Sequence, residues 1–479
     1  MIFWIDIAVF IFLVLCLLLV AIFEFINWFH DTANAVAPVI YTKSLKARYA
    51  VLIAWIMNFL WVFLWWIWVA MAIIYLLPLE AISYQSTSFW VIVVVSLLLS
   101  AIIWNFLTWY FGIPASSSHS LIWAILWVTI SMLFIPMNWN IQIIPNWAKA
   151  IEVIESLLFS PFLGFILASL IMLLSYRFIK SRYYFSTPSK KQKHPKKSLR
   201  LVLILTSAWV SFAHWSNDWQ KWVWLAMLIL VLLAPNIFAI NPNINKEEIN
   251  KNIISIETSL NSINWDLLNK YEKEKLDETI INIKNIKHKL NTTWDFSKID
   301  LRRDVLTLKN NIKILNKTVL NDTSRLYLVS VVNSDLWNIE NNKIDTDITS
   351  ILSIINYAPI WIILLISISL WLWTMIWRKR IVVTIWEKIG KTDMNYAQAT
   401  TSALITAITI TLASRFHLPV STTHILSSSV AWTMSVWPNK SWVRWWTVKS
   451  ILTAWILTLP ITMLLSWFIF LVLWFIIIR

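Results

Sequence analysis

The sequence predicts an all-α integral membrane protein that crosses the bilayer about ten times. Hydrophobic residues make up 58% of the 479 residues and charged residues only 14%, against about 45–50% and about 25% in soluble domains. Apolar runs long enough to cross a bilayer recur along the whole chain. These observations exclude a soluble, disordered or collagen-like protein. Cys16 is the single cysteine, so the chain cannot be a disulfide scaffold.

The tryptophan and glycine counts are unusual, because the chain has 35 Trp and 3 Gly. Membrane helices normally use glycine freely, since small residues let helices pack closely. We hypothesise that most of these tryptophans are glycine codons translated under the wrong genetic code. A tryptophan-rich protein is the alternative, and the codons at these positions distinguish the two.

Positive charge is concentrated in short loops between the apolar runs, and it accounts for the net charge of +15. Such loops are typical of the cytoplasmic side of a membrane protein. Nucleic-acid binding, the other common meaning of basic clusters, is therefore not predicted. The main clusters are Lys43, Lys46 and Arg48; Arg177, Lys180, Arg182, Lys190, Lys191, Lys193, Lys196, Lys197 and Arg200; Arg378, Lys379, Arg380, Lys388 and Lys391; and Lys440, Arg444 and Lys449.

The apolar segments fall into two sets of five. The first set is 3–42, 50–78, 89–111, 116–136 and 157–177, and the second is 201–240, 353–376, 396–416, 419–437 and 450–478. Five crossings per half give the halves opposite orientations, an inverted repeat typical of transporters. We predict repeat 1 over 1–199 and repeat 2 over 200–240 and 351–479, with some helices broken or re-entrant. The loops 79–88 and 138–156 then lie outside the cell.

Residues 241–350 form an insert with balanced charge, which we predict to be helical and extracellular or periplasmic. Its apolar residues recur at alternating spacings of three and four, as in amphipathic helices that pack together. They are Ile253, Ile256, Leu260, Ile263 and Leu267, and Leu301, Val305, Leu308, Ile312, Leu315 and Val319. The insert is either a partner-binding or gating domain or a passive appendage, and we favour the second interpretation.

Four polar motifs interrupt the apolar segments, and they form two matched pairs. The stretch Asn27–Asn34 resembles His214–Lys221, and Pro114–His119 resembles Pro419–His424. Asp31 lies 88 residues before His119, and Asp218 lies 96 residues before His424 when the insert is left out. The similar order and spacing support an internal repeat.

The first pair of motifs places carboxylates inside apolar spans, where ionisable groups are costly and usually functional. A carboxylate with neighbouring amides is a hard oxygen site for a cation or a proton relay. The predicted coupling-cation or proton residues are Asn27, Asp31, Asn34, Asn217 and Asp218. Candidates for a proton or anion relay are His30, His119, His214, Lys221 and His424.

The second pair of motifs predicts an anion site. Each hydroxyl cluster follows a proline that we expect at the start of a helix, where backbone N–H groups and the helix dipole favour an anion. The predicted phosphate ligands are Ser116, Ser117, Ser118, Ser421, Thr422, Thr423 and, from the other motif, Gln220. Helix capping alone is the simpler alternative. A Ser–His hydrolase is a weaker one, because adjacent residues on a helix do not face each other.

With glycine at the relevant tryptophans, these motifs resemble inorganic phosphate transporters of the Pit family. Asn27 to Ala37 resembles Asn-Gly-Phe-His-Asp-Thr-Ala-Asn-Ala-Val-Ala, and His214 to Trp222 resembles His-Gly-Ser-Asn-Asp-Gly-Gln-Lys-Gly. Pro419 to His424 matches Pro-Val-Ser-Thr-Thr-His, and Trp386 to Lys391 resembles Gly-Glu-Lys-Ile-Gly-Lys. The resemblance covers both halves and the insert and is closest to the bacterial low-affinity branch. The family has Trp at 104, 109 and 455, so these three are expected to be genuine, whereas His417 replaces a usual Gly.

The resemblance implies symport of inorganic phosphate, and also of arsenate, across the cytoplasmic (inner) membrane of a bacterium. It implies proton coupling, with sodium as the alternative, and phosphate that travels with a divalent metal. A homodimer is implied by the family alone. Neither an enzyme activity, a cofactor nor a resident metal site is predicted. A sulfate or other oxyanion permease and a channel are the alternative functions.

Overall fold

In the computed structural model, the described parts of the segments that hydropathy predicts to lie in the membrane are largely helical. The structure describes residues 6–64, 86–134, 147–188, 194–261, 268–292, 297–315, 347–373, 388–391, 393–415, 420–435 and 443–477. The first half contains α1 (Ile7–Tyr41), α2 (Ala47–Leu64), α3 (Thr87–Tyr110), α4 (Ser117–Met132) and α5 (Trp147–Phe178). Side chains cap α1 and α3, since Asp6 accepts the N–H of Ala8 and Ser86 accepts that of Phe89.

The second half contains α6 (Lys197–Leu233), α11 (Ile360–Trp373), α12 (Tyr396–Arg415), α13 (Thr422–Ser435) and α14 (Trp445–Ile477). Five helical stretches in the described part of the chain are long and apolar enough to cross a membrane. They are Ile7–Asn27, Thr87–Tyr110, Leu158–Phe178, Lys197–Trp215 and Trp445–Ile477. The predicted class, an all-α polytopic membrane protein, is confirmed; the inverted orientation of its halves stays a prediction.

Part of one predicted outer segment is helical. Residues 147–156, expected outside the cell, form the beginning of α5, and the stretch of this helix that is apolar enough to cross a membrane begins at Leu158, close to the predicted residue 157. Polar residues there recur at every third position, Lys149, Glu152 and Glu155, so they share one helical face and do not interrupt the helix. Helix α4 has 16 residues, which at about 1.5 Å per residue gives about 24 Å. This is less than the bilayer core of about 30 Å, so α4 fits the expectation of broken or re-entrant helices.

The last helix of each half packs against the other half. Helices α3 and α4 pack as a pair, and α12 and α13 pack as the corresponding pair in the second half. Helix α14, which ends the second half, packs on both α3 and α4, whereas α5, which ends the first half, packs on both α12 and α13. This reciprocal packing is what two halves of related structure would produce, and it brings α4 and α13 into the same interior.

Several of the basic loops come together on one face. The Arg200 Nε donates to the Ser44 carbonyl at 2.8 Å, and the His194 ring contacts the Lys43 carbonyl at 2.9 Å. The backbone N–H of Arg444 donates to the Ile389 carbonyl at 2.8 Å. Beneath these loops, buried apolar residues from both halves form one cluster, including Val36, Leu203, Met394, Leu426 and Val443. The side of the membrane on which these loops lie stays a prediction.

Residues 230–261, 268–292, 297–315 and 347–358 belong to a second compact unit. It contains α7 (Pro235–Phe238), α8 (Lys246–Asn261), α9 (Lys270–Asn291) and α10 (Lys298–Leu315). Most of the apolar residues identified by spacing are buried, namely Ile253, Ile256, Leu260, Leu301, Val305, Leu308, Ile312 and Leu315. Positions 263, 267 and 319 lie outside the described residues. Ion pairs join α9 to its neighbours, since Lys287 contacts Glu257 at 2.7 Å and Lys289 contacts Asp304 at 2.6 Å.

Hydrogen bonds join the two ends of the insert, where the chain enters it and where the chain leaves it. The backbone N–H of Asn241 donates to the Ile354 carbonyl at 2.7 Å. The buried guanidinium of Arg302, on α10, donates to the carbonyls of Ala239 at 3.0 Å and Ile355 at 3.3 Å. The Arg302 side chain thus binds both the segment that enters the insert, at Ala239, and the segment that leaves it, at Ile355.

Candidate anion-binding site

Two serines begin the helices that carry the predicted hydroxyl clusters. The Ser116 Oγ accepts the backbone N–H of His119 at 3.3 Å at the start of α4, and the Ser421 Oγ accepts that of His424 at 3.3 Å at the start of α13. Pro114 therefore lies two residues before the cap and not in the first helical turn, which corrects the expected position of that proline. A hydroxyl is the stronger preference at this boundary, because it satisfies a backbone donor that proline cannot.

The N-termini of α4 and α13 meet through their histidines. The imidazole rings of His119 and His424 are 4.5 Å apart between centroids, with 34° between their planes. Each histidine directly follows a hydroxyl cluster, so this contact brings the two clusters side by side. All six hydroxyl residues are buried: Ser116, Ser117, Ser118, Ser421, Thr422 and Thr423. The juxtaposition is the geometry that an anion held between two helix ends requires.

Lys221 joins the two clusters with one ammonium group. Its side chain is 1% exposed and extends from α6. The Nζ donates to the Ser118 Oγ at 2.8 Å and to the Val420 carbonyl at 3.3 Å, so it contacts the N-terminal segment of each helix. Two positive helix ends and an ammonium therefore converge at one buried place. A buried positive charge is stabilised by an anion, and the site suits an oxyanion.

The first Asp motif lies on α1, where the structure describes only part of it. Asn27 is buried, and its Oδ1 has no hydrogen-bond partner among the residues that the structure describes. An amide oxygen of this kind is a suitable ligand for a cation. The side chains of His30, Asp31 and Asn34 lie outside the described part, although their backbone belongs to α1.

The second Asp motif lies on α6 and is described in the same incomplete way. His214 is buried, with its ring 6.1 Å from that of Trp215. The side chains of Asn217, Asp218 and Gln220 lie outside the described residues. The roles of both Asp motifs stay predictions.

Glu24 is a buried acid that belongs to neither of the repeated motifs. It is 1% exposed and lies one helical turn before Asn27, on the same face of α1. The signal was available in the sequence, because an acid inside an apolar run, three residues from a motif asparagine, is costly unless it is used.

The geometry does not assemble the hydrolase alternative around Ser118. Its Oγ accepts the Lys221 ammonium, whereas the neighbouring His119 ring faces His424. A Ser–His nucleophile needs these two groups within hydrogen-bond reach of each other.

The tryptophans differ in how their indole N–H groups are used. Trp104 donates to the Thr458 Oγ1 at 2.9 Å and Trp455 donates to the Pro114 carbonyl at 3.1 Å, and both belong to the set expected to be genuine. Trp209, outside that set, also donates, to Thr411 at 3.1 Å. Trp90 and Trp222 are buried, and in the described part of the chain their indole nitrogens have no hydrogen-bond partner. Buried polar groups are rarely left in this state.

The chain is similar to known proteins along most of its length. The family model described as "Phosphate transporter family" matches residues 27–466. The chain is 40% identical over 479 residues to the low-affinity inorganic phosphate transporter of Buchnera aphidicola subsp. Acyrthosiphon pisum, and the alignment covers 95% of each protein. It is 35% identical over 485 residues to the low-affinity inorganic phosphate transporter PitA of Escherichia coli K12, again with 95% of each covered.

A solved structure titled "The sodium-dependent phosphate transporter" has the same fold. The TM-score is 0.51 at 18% identity, with 97% of this chain and 100% of that chain covered. The family match spans both halves and every motif discussed above. The chain therefore belongs to the phosphate transporter family.

Proposed function

We propose that this protein imports inorganic phosphate across the cytoplasmic membrane of a bacterium, as a symporter and not as an enzyme. The observation that carries the proposal is the contact of one ammonium, on Lys221, with the N-terminal segments of both α4 and α13. Converging helix ends, buried hydroxyls and one cation form a compact set of donors for a tetrahedral oxyanion. The names of the relatives favour phosphate as that oxyanion.

Phosphate is favoured over sulfate on chemical grounds as well. Phosphate at neutral pH still carries a proton and can donate a hydrogen bond, whereas sulfate can only accept. The site contains backbone acceptors beside its donors, since the Val420 carbonyl has a second lone pair after accepting from Lys221. A site that pairs with a substrate hydroxyl discriminates strongly against an analogue that lacks it. Arsenate, which has the same protonation pattern, would be transported too.

Protons are the proposed coupling ion. Three acids lie within the apolar helices of the two Asp motifs, Glu24, Asp31 and Asp218, and a carboxylate in an apolar interior is a natural proton carrier. Sodium is the second candidate, because the buried Asn27 Oδ1 is an oxygen ligand that a cation would complete. If phosphate enters as a neutral complex with a divalent metal, the metal compensates all of the negative charge of the phosphate.

The test uses the full-length protein, produced with glycine at the tryptophans that replace family glycines and reconstituted in liposomes. An inward proton gradient should drive accumulation of radiolabelled phosphate above the external concentration, and a protonophore should abolish it. Accumulation driven by a sodium gradient would show that sodium, and not the proton, is the coupling ion. Equilibration without accumulation under either gradient would indicate a channel, and stronger competition by sulfate than by arsenate would indicate a sulfate permease.

A further inference from the structure

A second space lies beside the histidine pair and is apolar. This cavity, of about 580 Å³, lies between α4, α5, α13 and α14, and its polar lining consists of His119, His424 and Ser428 together with the indole groups. Its volume is within the range of about 300–1,000 Å³ that ligand pockets occupy, and an apolar wall with a few polar groups is their usual character. None of the six hydroxyl residues of the anion site, nor Lys221, lines this cavity.

The rim of the cavity faces the lipid. Leu158 and Phe162 on α5 and Ile456 on α14 line it, and they are 59%, 63% and 72% exposed. Both helices contain stretches that are long and apolar enough to cross a membrane. In a bilayer this opening is therefore in contact with hydrocarbon, and a ligand would enter sideways from the membrane.

Each of the two histidines that line the cavity has one imidazole nitrogen without a hydrogen-bond partner in the described part of the chain. The His119 Nδ1 and the His424 Nε2 have no hydrogen-bond partner among the described residues, although the two residues are only 9% and 4% exposed. The His424 ring is held in place by stacking on Trp455, with 3.8 Å between centroids. Buried polar atoms in proteins are nearly always satisfied, so a group with hydrogen-bonding capacity is expected against this pair.

We propose that the cavity binds a long-chain fatty acid from the bilayer. Its chain would lie among the apolar residues of α5 and α14, and its carboxyl group would contact the two imidazoles. A carboxyl group offers both a donor and acceptors, which suits two rings whose nitrogens either donate or accept. If Trp123 and Trp432, which also line the cavity, are glycines in the natural protein, the cavity becomes larger while its rim and histidines stay.

The proposal has a consequence that rests on the proposed function. His119 and His424 begin the helices whose N-termini form the anion site, so a bound acid would hold these helices together. A fatty acid would then slow phosphate uptake without competing with phosphate. Binding itself is measured separately, so that a failure of phosphate transport does not decide the question.

The binding experiment uses palmitic acid that carries a photoreactive diazirine near the end of its chain. The purified full-length protein in nanodiscs is illuminated with it, and labelled peptides are identified by mass spectrometry. We expect labelling to be concentrated within 154–165 and 452–459. Palmitic acid should compete at least fivefold better than methyl palmitate, whose head group has no donor. Ile456→Trp should lower labelling at least fivefold, whereas Leu464→Trp, equally lipid-exposed on α14, should leave it unchanged.

Several results would overturn the proposal. These are labelling spread evenly along the lipid-facing sides of α5 and α14, equal labelling in the Ile456→Trp and Leu464→Trp variants, and competition by a diacyl phospholipid alone. Equal competition by palmitic acid and methyl palmitate would show that the histidines do not recognise the carboxyl group. This comparison needs no variant at His119 or His424. Absence of labelling from both 154–165 and 452–459 would show that a fatty acid does not occupy the cavity.

Discussion

Lys221 offers the sharpest test of the anion site. Lys221→Met keeps much of the length and volume of the side chain but removes the ammonium, and with it the bonds to the Ser118 Oγ at 2.8 Å and the Val420 carbonyl at 3.3 Å. A hydrogen bond that involves a charged group contributes about 1.5–3 kcal/mol. If the ammonium also contacts bound phosphate, the loss of that one contact should raise KM roughly ten- to a hundredfold, since each 1.4 kcal/mol is about a factor of ten.

The assay is the initial rate of radiolabelled phosphate uptake in a bacterium that lacks its own phosphate transporters. Lys449→Met is the matched control, because Lys449 is an exposed lysine on α14 and should show an unchanged KM. Lys221→Arg should retain part of the affinity, since the charge is kept while a larger guanidinium must fit a side chain position that is 1% exposed. An unchanged KM in a Lys221→Met protein that reaches the membrane in normal amount would show that the ammonium takes no part in anion binding.

Three other predictions concern the remaining parts of the molecule. Asp31→Asn and Asp218→Asn should each abolish accumulation while the protein still reaches the membrane, because each removes a carboxylate from an otherwise apolar span; full accumulation in both variants would exclude these acids from coupling. Ser117→Ala should raise the KM for phosphate about tenfold with little change in thermal stability, whereas Ser116→Ala should in addition cost about 1 kcal/mol of stability, because the Ser116 hydroxyl caps α4; an unchanged KM in both would leave these serines as structural residues only. Trp432→Gly should raise the thermal unfolding temperature, because the rings of Phe165 and Trp432 are only 3.7 Å apart between centroids, at 66°, against the usual spacing of about 4.5–7 Å, and such overpacking costs about 1–3 kcal/mol. A lower unfolding temperature would favour a genuine tryptophan at this position. Mass spectrometry of the natural protein would identify the residue at each of these positions directly.

Much of the fold follows from local properties of the sequence, which explains why it could be predicted. Hydropathy alone places most of the long helices, because a segment in hydrocarbon must satisfy its own backbone and so becomes helical. The spacing of Leu301, Val305 and Leu308 identifies the buried face of α10 without any knowledge of its neighbours. Hydropathy places the boundary of the span in α5, because the stretch that is apolar enough to cross a membrane begins at Leu158. It does not show that the helix extends outward to Trp147, because charges that recur on one face leave a helix intact.

The site was predictable as a list of residues but not as an arrangement. Sequence matching paired the clusters at Ser116–Ser118 and Ser421–Thr423, and it identified Lys221 only as a relay candidate. Lys221 contacts the N-terminal segments of both α4 and α13 only because of where α6 lies relative to those two helices. No local sequence pattern encodes the relative position of three helices. Glu24 is the opposite case, since its position on the helix follows from the sequence but the acid belongs to neither repeated motif.

The base of the insert has a consequence for how this protein can be taken apart. Asn241 and Ile354 are joined by a backbone hydrogen bond of 2.7 Å, so the chain leaves and returns through almost the same point. Adjacent ends are the condition under which domains are exchanged or inserted without disturbing their host, and the entropy of closing a loop grows only slowly with its length. Residues 242–353 could therefore be exchanged for a short glycine–serine linker or for a fluorescent reporter module. A graft at this position would let the membrane core be purified and visualised as a minimal unit.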